Sequence, residues 1–161
     1  MKNYLLLLFI FLVSCTTRIE TQFSEKALNA TFISLEGKEL PFKDILEKYK
    51  GEKILIDVWA TWCGDCIKGM PTIVQLQKEY QDVVFLFLSI DSNLVELKTG
   101  IEKYRVKGVH YLLPSGWDGS FGDFLDLSWI PRYLVVDKEG KIAVFNAVKA
   151  NDERIVAALK K

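Results

Sequence analysis

Two uninterrupted apolar runs limit what this chain can fold into. The segments KILIDVWA (residues 53–60) and VVFLFLSI (residues 83–90) are built from β-branched, aliphatic and aromatic residues. That is the composition of a strand covered on both faces. Between them, residues 64–80 carry apolar side chains at 67, 70, 73, 74 and 76, which is the face of a helix. Two buried strands joined through a helix form a right-handed βαβ unit with parallel strands. The alternation continues with helices over 93–105, 119–127 and 152–160 and strands over 110–113, 132–137 and 142–146. The last two strands are separated only by the turn Asp-Lys-Glu-Gly-Lys, so they run antiparallel. Upstream, residues 31–35 read as a short strand and turn, and residues 41–49 as a helix whose charges at 43, 44, 47, 48 and 50 form its solvated side. The expected fold class is α/β, with a mixed central sheet flanked by helices.

Composition bounds the function. The 161 residues are 50% hydrophobic and 26% charged, which suits one globular domain with a core of its own. Lys plus Arg equals Asp plus Glu at 21 each, so no cationic surplus exists to neutralise a phosphate backbone, and nucleic acid is excluded as a partner. Three cysteines and a single histidine are too few for a disulfide-stapled scaffold or a tetrahedral Cys/His zinc site.

The first residues read as an address. Lys2 precedes an apolar run over 4–13, closed by Ser14 and Cys15. That run is shorter than the roughly 20 residues a membrane-spanning helix needs. Leu12-Val13-Ser14-Cys15 resembles the lipobox of bacterial lipoproteins. The resemblance implies that residues 1–14 are a signal peptide, that Cys15 is lipidated, and that the mature protein is tethered outside the cytoplasm. Two acyl chains, at about 0.8 kcal/mol per buried methylene, would anchor it firmly. Residues 15–27 are then a lipidated cysteine and polar linker, and residues 28–161 the domain proper.

The chemistry falls where the first buried strand meets its helix. Cys63-Gly64-Asp65-Cys66 puts Cys63 beside the unpaired N–H groups and positive dipole end of that helix, which stabilises a thiolate. Cys66, one turn on, is within reach of Cys63 but points further inward. In an enzyme Cys63 attacks a substrate disulfide and Cys66 resolves the mixed disulfide, so the dithiol carries the electrons and no cofactor is called for. Other uses of this spacing remain open. Haem attachment would need histidine at 67, where Ile67 stands. Zinc would need a second pair of ligands. A structural disulfide closing so short a loop would constrain the unfolded chain little.

Residues 54–66 (ILIDVWATWCGDC), Met70-Pro71, Ile130-Pro131 and the turn Lys138-Glu-Gly-Lys141 together resemble the thioredoxin superfamily. Within it the chain is most similar to the ResA/TlpA-like thiol-disulfide oxidoreductases of the cell envelope, over roughly residues 30–160. The resemblance implies a thioredoxin fold with an N-terminal extension, redox exchange at Cys63 and Cys66, and a cis peptide at Pro131 facing the cysteines. It also implies disulfide-containing envelope proteins as partners and, for a reductase, a membrane electron donor.

Asp57 interrupts an otherwise apolar strand, where an unpaired carboxylate is costly to bury, and this points to a role in the site. By the two-residue period it faces the layer near the active-site helix. Burial raises its pKa and makes it a candidate base for Cys66; it matches the buried acid of thioredoxin. Trp62 is expected to wall the substrate site, with Ile130 and Pro131 offering backbone to an extended substrate segment. Trp59 is as well placed for core packing, Trp129 borders the groove or simply packs, and Pro71 is expected to kink the helix at Ile67.

Two departures from the family stand out. Gly64-Asp65 replaces the usual Gly-Pro, and a negative charge near Cys63 is expected to raise the thiol's pKa and move the pair toward the reducing end. Gly69 stands where many ResA-like members carry a glutamate. A non-enzymatic binding module on the same scaffold, for metal delivery or partner docking, is the alternative reading. Copper carriers of this fold use one more residue between the cysteines.

Overall fold

The structure is a computed structural model that describes residues 19–161. The expected signal peptide and Cys15 lie outside the described residues. The N-terminal part holds helix α1 (Glu25–Leu28), the hairpin strands β1 (Thr31–Ser34) and β2 (Glu39–Pro41), and helix α2 (Phe42–Lys48). The βαβ unit follows as β3 (Lys53–Trp59), α3 (Gly64–Glu79) and β4 (Val83–Ser89). The chain then forms α4 (Leu94–Tyr104), β5 (Val109–Leu112), α5 (Gly119–Leu125), β6 (Arg132–Val136), β7 (Ile142–Ala147) and α6 (Glu153–Lys160). The strands make one mixed sheet in the order β2-β1-β5-β4-β3-β6-β7. β3, β4 and β5 are parallel, while β6 and β7 run antiparallel on one side and β1 and β2 on the other.

The physical reason for this order is burial. β3 and β4, the two apolar runs, are enclosed by neighbours, and nearly every residue in them is buried. The edge strands that leave backbone groups at the rim, β2 and β7, are where Pro41 and a register shift are tolerated. β2 escapes the sequence reading because three residues containing a proline carry no alternation.

The domain begins earlier than residue 28. Ser24 caps α1 by accepting from the Ala27 N–H at 3.2 Å, and Phe23 and Ala27 are buried. Phe23 packs on Phe42 and Phe124 at ring separations of 5.0 and 5.4 Å, and Phe42 meets Phe121 at 4.8 Å. The segment's polar composition hid one aromatic anchor. Pro71, expected to kink the helix, lies inside α3, which continues past it to Glu79.

A dithiol site at the start of helix α3

The site is assembled from three strand ends and one helix start. β3 delivers the chain through Ala60 and Thr61 to Cys63, which is the N-cap of α3. The Cys66 N–H donates to the Cys63 sulfur at 3.0 Å, so one of the helix's orphan donors points at that sulfur. The two cysteines are joined as a disulfide with Cα atoms 5.3 Å apart. Cys66 is sealed inside, whereas Cys63 keeps 7% of its surface exposed. The asymmetry separates an attackable sulfur from an inner one.

The Ile130–Pro131 peptide is cis, and the Ile130 carbonyl oxygen lies 3.7 Å from the Cys63 sulfur. The loop before β6 thereby faces the disulfide, which brings Ile130, with Pro131 next to it in the chain, to Cys63 from 67 positions away in sequence. Around Cys63 runs a shallow groove lined by Trp62, Gly64, Asp65, Trp117, Trp129 and Ile130. Trp62 and Trp129 are more than half exposed, Trp117 is 39% exposed, and the Trp62 and Trp117 rings stand 6.2 Å apart. Tryptophans left in water beside a reactive sulfur offer apolar area to an incoming chain. Trp117 carries no signal in the sequence, because only the fold sets it beside Trp62. Trp59, by contrast, is fully buried core.

Asp57 is buried on β3, and neither carboxyl oxygen has a hydrogen-bond partner among the described residues. Burial pushes its pKa well above the ordinary carboxylate range. It stands opposite Tyr133 in the antiparallel register with β6, and opposite partners share a face of the sheet. The Tyr133 hydroxyl reaches α3 at Gly69, so this is the face that α3 covers. Asp65 in the first turn of α3 pairs with Lys68 at 2.9 Å, both of them well exposed. His110, the chain's single histidine, is buried against Phe87 with ring centroids 4.9 Å apart.

One polar cluster was not legible in the sequence. The buried Asp91 carboxylate accepts from the Thr61 N–H at 3.0 Å, the Thr61 hydroxyl at 2.7 Å and the Ser89 hydroxyl at 2.6 Å. It ties the end of β4 to the loop carrying Cys63. α4 closes on the same loop, since a side chain at Gly100 would overlap the Thr61 methyl. Among the described residues, no three His, Cys, Asp or Glu side chains are grouped to hold a metal ion.

A thioredoxin-like sheet with a Cys-x-x-Cys pair at a helix start and a facing cis-proline defines a thiol-disulfide oxidoreductase. The chain belongs to the Redoxin family, whose profile matches residues 25–159. It is 27% identical over 148 residues to the thiol-disulfide oxidoreductase ResA of Bacillus thuringiensis (strain Al Hakam), an alignment covering 87% of this chain and 78% of that one. It is 50% identical over 106 residues to the thioredoxin-like protein YneN of Bacillus subtilis (strain 168), covering 66% of this chain and 51% of that one. Among solved structures, a Bacteroides vulgatus protein described as a thiol-disulfide oxidoreductase superposes with a TM-score of 0.67 at 30% identity, covering 83% of this chain and 85% of that one. A thiol-disulfide oxidoreductase from Bacteroides fragilis shares the fold with a TM-score of 0.69 at 19% identity, covering 84% and 98%. The chain is thus a thioredoxin-like oxidoreductase of the ResA/TlpA type, with Cys63 and Cys66 as its cysteine pair.

Proposed function

We propose that this chain is tethered to a bacterial membrane through Cys15 and reduces disulfides of proteins in the cell envelope. The observation that carries the exchange reading is the graded burial of the dithiol, with Cys63 at the floor of a tryptophan-walled groove and Cys66 sealed behind it; the reducing direction is favoured by the Asp65 carboxylate in the first turn of α3. An extended substrate segment lies along Ile130 and Pro131, pairing with their backbone, while Trp62 covers its apolar side. The Cys63 thiolate, held by the Cys66 N–H, attacks one substrate sulfur. The substrate disulfide breaks and its other sulfur leaves as a thiolate. Cys66 then gives its proton to Asp57 and its sulfur attacks Cys63, which releases the second substrate sulfur and closes the Cys63–Cys66 disulfide. Two electrons have passed to the substrate, and a membrane electron donor must return them.

Gly64 and Asp65 tune this pair. Beyond its chain neighbours and its own helix's backbone, nothing lies within 4 Å of the position a Cβ would take at Gly64, so the turn between the cysteines presents open space beside Cys63. The Asp65 carboxylate works against the helix dipole at Cys63 and makes the disulfide harder to reduce, with Lys68 offsetting part of its charge.

The test is the reduction potential of the pair in the full-length protein, equilibrated in graded thiol/disulfide buffers and read by alkylation and mass. A value at or below about −250 mV is expected of a reductase. A value between about −180 and −120 mV would assign an oxidase or isomerase instead. Failure of the thiols to exchange reversibly would leave a binding module.

A further inference from the structure

A row of side chains crosses the sheet on the face that α3 covers. By register it runs from His110 on β5 through Phe87 on β4, Asp57 on β3 and Tyr133 on β6 to Ala147 on β7. His110 turns its Nε2–H to the Val106 carbonyl at 3.2 Å, and the Phe87 ring separates it from Asp57. Tyr133 is therefore the polar neighbour of Asp57 in the row. Both Asp57 carboxyl oxygens and the Tyr133 hydroxyl are buried, and no protein group among the described residues hydrogen-bonds them. Three such atoms on cross-strand neighbours in an apolar core call for a reason.

The surroundings supply it. Tyr133 lies fully buried beneath an open groove bordered by Lys68, Gly69, Pro131 and Lys149. A Cβ built on Gly69 would sit 2.9 Å from the Tyr133 hydroxyl. The missing side chain is what lets the phenol reach α3, one turn beyond Cys66. Tyr133 thus neighbours Asp57 across the strand pair and also lines the groove at Gly69.

We propose that Tyr133 is the positioning residue for Asp57, its hydroxyl joining the carboxyl group through bridging water to the Gly69 groove, so that the proton taken from Cys66 leaves the core on this side. The proposal rests on the reading of Asp57 as the base for Cys66. In the resolving step the Cys66 S–H bond breaks and its proton goes to the Asp57 carboxylate. The Cys66 sulfur forms the bond to Cys63, and the bond from Cys63 to the substrate sulfur breaks with its electron pair leaving on that sulfur, which takes a proton from solvent. Asp57 then passes its proton outward, the Tyr133 oxygen accepting one proton as it releases another, and the phenol ends unchanged.

Other titratable groups on this face are accounted for. From α3 these are Cys66 itself and the mutually paired Asp65 and Lys68 at the rim. Lys149 approaches from the segment after β7. Lys53, on the same face of β3, is held at 2.6 Å by the Leu159 carbonyl. α6 turns the uncharged Ile155 and Leu159 inward. Burial drives the pKa of His110 down to about 4, so it stays neutral above that pH.

The experiment uses the reduced full-length protein and the aromatic disulfide 5,5′-dithiobis(2-nitrobenzoate), whose two thiolate equivalents appear in sequence as Cys63 attacks and Cys66 resolves. Tyr133→Phe is expected to leave the first phase unchanged, to slow the second roughly tenfold, and to move its pH midpoint upward. Gly69→Ala, which crowds the same hydroxyl from the helix side, is expected to shift the second phase in the same direction by less. A second phase with unaltered rate and midpoint in both variants, while Asp57→Asn slows it, would overturn the proposal and leave Tyr133 as packing. If Asp57→Asn also leaves that phase unaltered, the base reading fails and the proposal with it. Should Tyr133→Phe not fold, Gly69→Ala decides alone, because the one close approach of its methyl is to the end of a side chain, the Tyr133 hydroxyl, and alanine's better helix propensity offsets part of that crowding.

Discussion

At the scale of single residues, two buried titratable groups on one sheet face pull stability in opposite directions. Burial keeps Asp57 protonated in the folded chain above the pH where an unfolded aspartate ionises. The folded state therefore binds more protons from about pH 4 upward, and stability falls as pH rises through the raised pKa. Asp57→Asn cannot ionise, so it is expected to match the wild type near pH 4 and to exceed it increasingly as pH rises toward 8. Denaturant melts across that range check this. His110 acts the other way, since its folded pKa of about 4 lies below the unfolded value of 6.5. Its contribution is complete above pH 6.5 and is lost as pH falls toward 4, by at most about 3 kcal/mol. His110→Phe, which keeps the stack on Phe87, is expected to flatten that acid limb in the same melts. Asp57 was legible in the sequence because a lone acid in an apolar strand breaks the pattern. His110 was not, since one histidine in a short strand looks the same buried or exposed.

At the scale of elements, the cysteine loop is held by its neighbours more than by its own residues. Asp91 gathers three donors from β4 and the Thr61 turn, and Gly100 lets α4 close on the Thr61 methyl. A glycine in mid-helix forfeits about 1 kcal/mol against alanine, and here the close approach explains it. Asp91→Ala would strand the Thr61 N–H and two hydroxyls. The expected loss is about 2–3 kcal/mol in chemical denaturation, with faster hydrogen exchange at the Thr61 amide. Asp91 follows its strand like any loop aspartate, and nothing in the local sequence separates it from Asp82 or Asp118. Gly69 shows the same dependence on the fold. Its departure from the glutamate that the family resemblance leads one to expect was visible, but the Tyr133 hydroxyl that fills the space comes from β6, 64 positions later.

At the scale of the whole molecule, the N-terminal segment closes the core. The Ile142 N–H donates to the Thr21 carbonyl at 2.9 Å, and Phe23 wedges between α2 and α5 among Phe42, Phe121 and Phe124. Phe23→Ala is expected to destabilise the protein by roughly 3 kcal/mol. A chain started at residue 28 is expected to lose at least as much, and thermal melting of the two forms checks both. No helix among the described residues is long and apolar enough to cross a membrane.

By itself the sequence determined the α/β class, the parallel β3-α3-β4 unit, the place of the cysteine pair and the acid in its strand. Each of these follows from local pattern, because burial on two faces, helical period and cap position are written in neighbouring residues. Only the tertiary structure decided which distant groups meet there. The β1-β2 hairpin on β5, Trp117 beside Trp62, the Asp91 clamp and the pairing of Asp57 with Tyr133 all depend on strand order and register. A sheet brings residues together by hydrogen-bonding between strands far apart in the chain, and that choice rests on the summed burial of the whole core, not on any one segment.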